Sequence, residues 1–194
     1  MTFYKTKKEI LHKGFFKDSI EKIDIKTFNL INEELVRQQN HIELIASENI
    51  VSNAVLQALG SVFTNKTVEG YPGKRYFSGV KISDNLETIA IERAKKLFDV
   101  KFANVQPHSG SQANHGVYAS LLKPGQKILA MDLNAGGHLS HGARPNFSSK
   151  VYQTAYYSLD EETSLLDYNM LEKIANIEKP NLIIAGGSSY SRII

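Results

Sequence analysis

The 194-residue chain contains no cysteine. That excludes disulfides and thiolate metal sites and fits a reducing compartment. No uninterrupted apolar run approaches the length of a membrane span. The first residues, Met1 to Lys8, lack the apolar core of a signal peptide. We therefore expect a cytoplasmic protein with no membrane contact. There is no RNA- or DNA-binding motif and no interleaving of basic with aromatic residues, so no nucleic-acid partner is expected. Internal repeats and low-complexity linkers are also missing. What remains is ordinary for a globular protein: 42% hydrophobic residues, 22% charged residues and a net charge of +3. The length suffices for one domain with a sizeable core. Seven lysines stand against four acids in the first 26 residues, which reads as a solvated face or a frayed terminus.

The stretch Asn104-Val105-Gln106-Pro107-His108-Ser109-Gly110-Ser111-Gln112-Ala113-Asn114 organises the rest. An apolar, β-like run (Phe102 to Val105) precedes it and a small-residue helical run (Gln112 to Leu122) follows. Hydroxyls and backbone amides gather at a helix start, where unpaired N–H groups and the positive dipole end suit an anion. Gly110 lets the backbone come close to a bound group. The same residues also read as a plain strand-loop-helix connection, since Gly and Ser are common loop residues.

Upstream, residues 1–19 read as irregular or loosely helical. A helix is expected over Asp24 to Asn40, with Asp24 as cap and Ile25, Phe28, Ile31 and Leu35 at helical spacing. An extended stretch runs from His41 to Ala46, and a short helix follows Ser52. Residues 64–79 form a long polar loop with Pro72-Gly73 as a type II turn. Asp84-Asn85-Leu86-Glu87 reads as a capping box opening an amphipathic helix. Downstream we expect strands at Lys127 to Met131, Val151 to Tyr156 and Leu182 to Ala185, and a helix capped by Asp167. Strands and helices thus alternate from about residue 84, which predicts an α/β fold with a mainly parallel sheet. Ligands gather beyond the carboxyl ends of such strands, where loops 106–111, 132–142 and 186–191 fall. The chain stops at Ile194 with no closing helix. A parallel sheet needs both faces covered, so the domain is expected to be truncated.

Four segments carry a resemblance. They are His41-Ile-Glu-Leu-Ile-Ala-Ser-Glu-Asn49, Glu69-Gly-Tyr-Pro-Gly-Lys-Arg-Tyr76, Ala103 to Asn114, and Gly136-Gly-His-Leu-Ser-His-Gly142. In order and spacing they resemble the serine hydroxymethyltransferase family from about residue 27 onward. The resemblance implies the N-terminal part of a fold-type I large domain using pyridoxal 5'-phosphate. It divides the chain into an N-terminal arm with helices (1–63) and an incomplete cofactor-binding α/β domain (64–194). It implies interconversion of serine and glycine with tetrahydrofolate as one-carbon carrier, in a homodimer.

By the same resemblance Gly110 and Ser111 hold the cofactor phosphate. His138 stacks on the pyridine ring, and Ser188 contacts the phenolic oxygen. Ser47 contacts substrate, and Glu69 is the proton donor or acceptor near the substrate hydroxyl. Leu133, Gly137, His138 and Leu139 line the folate site. The family has Tyr at the positions of Thr67 and Phe77. Thr is too short to reach the partner subunit's cofactor phosphate, and Phe loses the polar handle. The family's Schiff-base Lys, pyridinium-pairing Asp and carboxylate-binding Arg lie in later segments, so this chain is expected to be inactive alone. The alternatives are a non-catalytic remnant, or a module that pairs with a complete enzyme or a separate C-terminal half. A serine hydrolase built on Ser109 or Ser111 with Asp132 lacks the Gly-x-Ser-x-Gly elbow. A metal site on His108, His115, His138 and His141 lacks a completing carboxylate or thiolate pattern, and no metal is expected.

Overall fold

A computed structural model of the chain describes residues 14–194. They fall into two compact units, one ending at Glu48 and the other spanning Asn49–Ile194. In the first, a turn at 14–17 leads into α1 (Ile20–Ile23) and α2 (Ile25–Asn40). The expectation for residues 1–19 otherwise lies outside the described residues. Asp24 caps α2 as its sequence predicts. Its carboxylate accepts from the Thr27 amide at 3.1 Å and the Thr27 hydroxyl at 2.6 Å. These bonds hold the Asp24 carboxyl below its ordinary value. His41 to Ala46 is extended or turning but joins no ladder among the described residues.

The second unit opens with α3 (Asn53–Leu59), whose Ser52 cap accepts from the Val55 amide. A 3-10 turn at Val62–Asn65 leads to a two-stranded hairpin, β1 (Gly70–Tyr71) against β2 (Lys74–Arg75). Pro72-Gly73 closes it, with Gly73 at φ 75. The proline ring fixes φ near −65°, so the turn is of the type II kind the sequence predicts. Then come α4 (Lys81–Phe98), α5 (Gly110–Leu121), β3 (Lys127–Met131), α6 (Phe147–Val151), β4 (Gln153–Tyr157), α7 (Tyr168–Glu178) and β5 (Leu182–Ile183). The sheet is parallel throughout, in the order β4-β3-β5. Lys127 pairs with Gln153 and Met131 with Tyr157, while Ile128 pairs with Leu182. Strand periodicity splits β3 between two cores. Ile128 and Ala130 pack with Tyr118 of α5, with Leu122 just past it and with Tyr152. Leu129 and Met131 pack with Tyr157 and, from α7, Leu171 and Ile174. Ile128 and Leu129 are completely buried, and each contributes about 1.5–3 kcal/mol.

Four expectations are corrected. Phe102 to Val105 forms no strand, and Phe102 is exposed. An apolar run becomes a strand only beside a partner, and this one pairs with no strand of the β4-β3-β5 sheet. The helix at 84 starts earlier, at Lys81, and Asp84 and Glu87 do not cap it, because a buried arginine claims both carboxylates. β4 starts at Gln153 because residues 147–151 wind into α6. β5 keeps only two ladder residues, with Ile183 half exposed. Among the described residues no helix is long and apolar enough to cross a membrane.

Candidate active site

The cup forms at the start of α5. Ser109 is the N-cap, and its hydroxyl accepts from the Gln112 amide at 3.1 Å. Gln112 in turn reaches back, its side-chain oxygen accepting from the His108 amide. This reciprocal arrangement resembles a capping box and freezes the loop in front of the helix. The amides of Gly110 and Ser111 keep no partner among the described residues. A Cβ placed on Gly110 would meet nothing within 4 Å. Two N–H groups without a partner among the described residues thus sit at the positive end of a helix, the chemistry of an anion site.

Two further loops lie at the carboxyl end of the sheet. After β3, Asp132 caps the 3-10 turn Leu133–Ala135, and the Gly137 amide donates back to the Asp132 carbonyl at 2.9 Å. The loop after β5 seats on this turn: the Ser188 amide donates to the Gly136 carbonyl at 2.7 Å. A Cβ on Gly187 would stand 2.5 Å from that same carbonyl. Glycine is needed there because two backbones touch. Ser188 and the 133–139 turn are thus adjacent. Leu133 and Leu139 are about half exposed, whereas Gly137 is buried.

His138 is held by a short chain of hydrogen bonds. The Ser140 amide donates to its Nδ1 at 3.1 Å, and Ser140 Oγ lies 2.7 Å from the same nitrogen. Because an amide can only donate, Nδ1 is the acceptor and the ring proton sits on Nε2. Asn114 Nδ2 donates to Ser140 Oγ at 2.8 Å, and the Tyr118 hydroxyl donates to the Ser140 carbonyl at 2.9 Å. Both come from α5, so the cup helix and the His138 loop form one assembly. Ser140 is completely buried. Burial pushes the Tyr118 phenol up to about 12. His141 stacks edge-on to His138 with ring centroids 5.5 Å apart. Its imidazole is held below the ordinary value by burial and then by the neighbouring His138 charge.

Glu69 sits apart from these residues. It is exposed and lines a cavity of about 620 Å³ with Lys66, Thr67, Glu87, Gln106 and His108. Gly110, Ser111, His138 and Ser188 do not line that cavity. Ser47 is exposed in a turn of the first unit. The Asp132 carboxylate accepts from the Asn134 amide at 2.8 Å. Among the described residues no group of three or more His, Cys, Asp or Glu gathers for a metal.

Sequence reasoning missed the ion cluster on the hairpin. The Arg75 side chain is 3% exposed and bonds Asp84 at 2.8 Å and Glu87 at 2.5 Å. Its NH1 group also donates to the carbonyls of Val68 and Gly70, each at 2.6 Å. Arg75 first, and then the Gly73 amide, hold the Asp84 carboxyl below its ordinary value. The available signal was two acids at i, i+3 on one helix face, Asp84 and Glu87. Ser140 carried no signal at all.

These features define a class: a parallel α/β domain whose strand-end loops meet a glycine-serine anion cup. The sequence model for serine hydroxymethyltransferase matches residues 20–194. A serine hydroxymethyltransferase from Pelagibacter ubique (strain HTCC1062) is 55% identical over 183 residues, covering 94% of this chain and 42% of that protein. One from Ehrlichia chaffeensis (strain ATCC CRL-10679 / Arkansas) is 55% identical over 177 residues, covering 91% of this chain and 42% of the relative. The chain belongs to the serine hydroxymethyltransferase family, and its α/β architecture is that of the fold-type I transferases. It spans less than half the length of these relatives.

Proposed function

We propose that this chain contributes the cofactor-phosphate cup to a pyridoxal-phosphate enzyme that interconverts serine and glycine, with tetrahydrofolate carrying the one-carbon unit. The observation that carries the reading is the pair of amides at Gly110 and Ser111 that keep no partner among the described residues, on a helix capped by Ser109. An ester phosphate fits that donor set, because backbone N–H groups and a helix dipole need no counter-cation to hold a dianion. When bound, pyridoxal phosphate supplies an electron sink for the bond broken in the substrate.

The chain's own residues then divide the work. The Gly110 and Ser111 amides, with the Ser111 hydroxyl, take the phosphate. His138, its Nδ1 occupied by Ser140, presents a ring of fixed orientation for stacking. Ser188 contacts the cofactor's phenolic oxygen. Ser47 contacts the substrate, and Glu69 moves the proton at its hydroxyl. Leu133, Gly137, His138 and Leu139 line the folate position. A homodimer, a cytoplasmic setting and the boundary after residue 63 belong to the same proposal and rest on the family resemblance. By the family resemblance the Schiff-base lysine belongs to the part this chain does not span, so turnover requires that part as well.

Titration with pyridoxal 5'-phosphate and with pyridoxal tests the cup, followed by the change in cofactor absorbance. Tighter binding of the phosphate ester, by about tenfold or more, is expected. Equal affinity for the two overturns the assignment of the cup. Glycine formation from serine and tetrahydrofolate is then measured on this chain alone and mixed with the part of the Pelagibacter ubique relative it does not cover. Turnover is expected only in the mixture.

A further inference from the structure

The hairpin and the cup are tied together by one amide side chain. Gln106 Nε2 donates to the Gly70 carbonyl at 2.9 Å and to Glu87 Oε1 at 2.7 Å. Both of its N–H groups are therefore spent on the hairpin side. Three residues later in the chain, Ser109 caps α5. A second thread runs beside it: Asn104 Nδ2 donates to the Tyr71 hydroxyl at 3.3 Å, and Asn104 Oδ1 accepts from the Gln106 amide at 3.0 Å.

On the hairpin, three consecutive carbonyls are fixed. Those of Val68 and Gly70 accept from Arg75, and that of Glu69 accepts from the Tyr76 amide at 3.2 Å. Gly70 has φ 95, and a Cβ there would stand 2.3 Å from the Lys74 carbonyl. The backbone on both sides of Glu69 is thus immobilised, and its carboxylate is left to the cavity that Gln106 also lines.

We infer that Gln106 is a positioning residue: through Gly70 and Glu87 it sets the Glu69 carboxylate in fixed register with the phosphate cup. Gln106 touches no reacting atom. Glu87 is shared, with one carboxylate oxygen on Arg75 and the other on Gln106. A shift of the hairpin is therefore felt at the loop that opens α5. The effect on catalysis rests on the role proposed for Glu69, while the mechanical bridge does not.

The substitution Gln106→Met keeps the length of the side chain and removes both donors. Amide hydrogen exchange on the 194-residue chain reads the bridge directly. Exchange at residues 69–76 is expected to quicken about tenfold, the equivalent of one or two lost hydrogen bonds, with amides of β3 unchanged. Unaltered exchange at the hairpin overturns the bridge. If β3 amides also lose protection, Asn104→Ala removes the second thread alone, and the same local quickening is expected from it. No local quickening there overturns the bridge as well.

In the mixture that turns over serine, Gln106→Met is expected to lower kcat about tenfold or more. The KM for serine and the affinity for the phosphate ester are expected to stay within about threefold. Loss of KM and kcat together indicates a general loss of fold and overturns the positioning role. A Glu69→Gln variant with full turnover, alongside quickened hairpin exchange in Gln106→Met, refutes the role of Glu69 and leaves the bridge standing.

Discussion

Two glycines near the site are predicted to respond in opposite ways to the same methyl group. Gly137 follows β3, and a Cβ there would lie 2.2 Å from the Met131 carbonyl oxygen and 2.8 Å from that of Asp132. Both are backbone atoms at the end of the central strand, so neither can move aside. Ordinary contact begins near 3.4 Å, so the loop must back away by about 1.2 Å, from 2.2 to 3.4 Å. Overpacking of this kind costs about 1–3 kcal/mol. For a chain of this size that lowers the melting midpoint by roughly 2–12 °C. His138 is the next residue, so its ring is displaced by a similar distance.

Gly110→Ala meets nothing within 4 Å. It should leave the midpoint unchanged or raise stability by up to about 1 kcal/mol through the lower entropy of the unfolded chain. Its methyl group enters the space kept for the anion, and affinity for pyridoxal 5'-phosphate should fall about tenfold. Thermal melts followed by far-ultraviolet circular dichroism, paired with the cofactor titration, separate the two. If Gly137→Ala melts like the wild type, or Gly110→Ala keeps full affinity, the reading of these glycines is wrong.

Tyr118→Phe removes the donor to the buried Ser140 carbonyl. It should cost about 1–3 kcal/mol by denaturant unfolding, and a loss below about 0.5 kcal/mol would refute the importance of that bond. His141 titrates below its ordinary value in the folded state. The neutral ring therefore contributes stability above pH 6.5, and that contribution is lost as pH falls below it. Unfolding midpoints between pH 7.5 and 5.5 should fall more steeply for the wild type than for His141→Leu, and parallel curves would count against the burial of this ring.

The local elements were legible because their signals are local. Asp24, Ser52 and Asp167 each cap the helix their position predicts, since a cap needs only a short polar side chain and the next turn of backbone. The strand Lys127–Met131 appears with its expected bounds because Ile128 to Met131 are all apolar and buried on both faces. Motif resemblance reached further and identified the family. What a linear reading could not determine was which distant groups would meet. Asp84 and Glu87 look like helix caps until Arg75 arrives from the hairpin and takes them. Phe102 to Val105 looks like a strand but pairs with no strand of the sheet. Ser140 and Gln106 are unremarkable in sequence. Each gains its role from two partners separated along the chain, a relation only the tertiary structure decides. By itself the sequence determined most of the elements and the family. The three-dimensional arrangement decided how His138 is oriented, and how the loop bearing Glu69 is fastened to that cup by hydrogen bonds whose partners lie 19 and 36 residues apart.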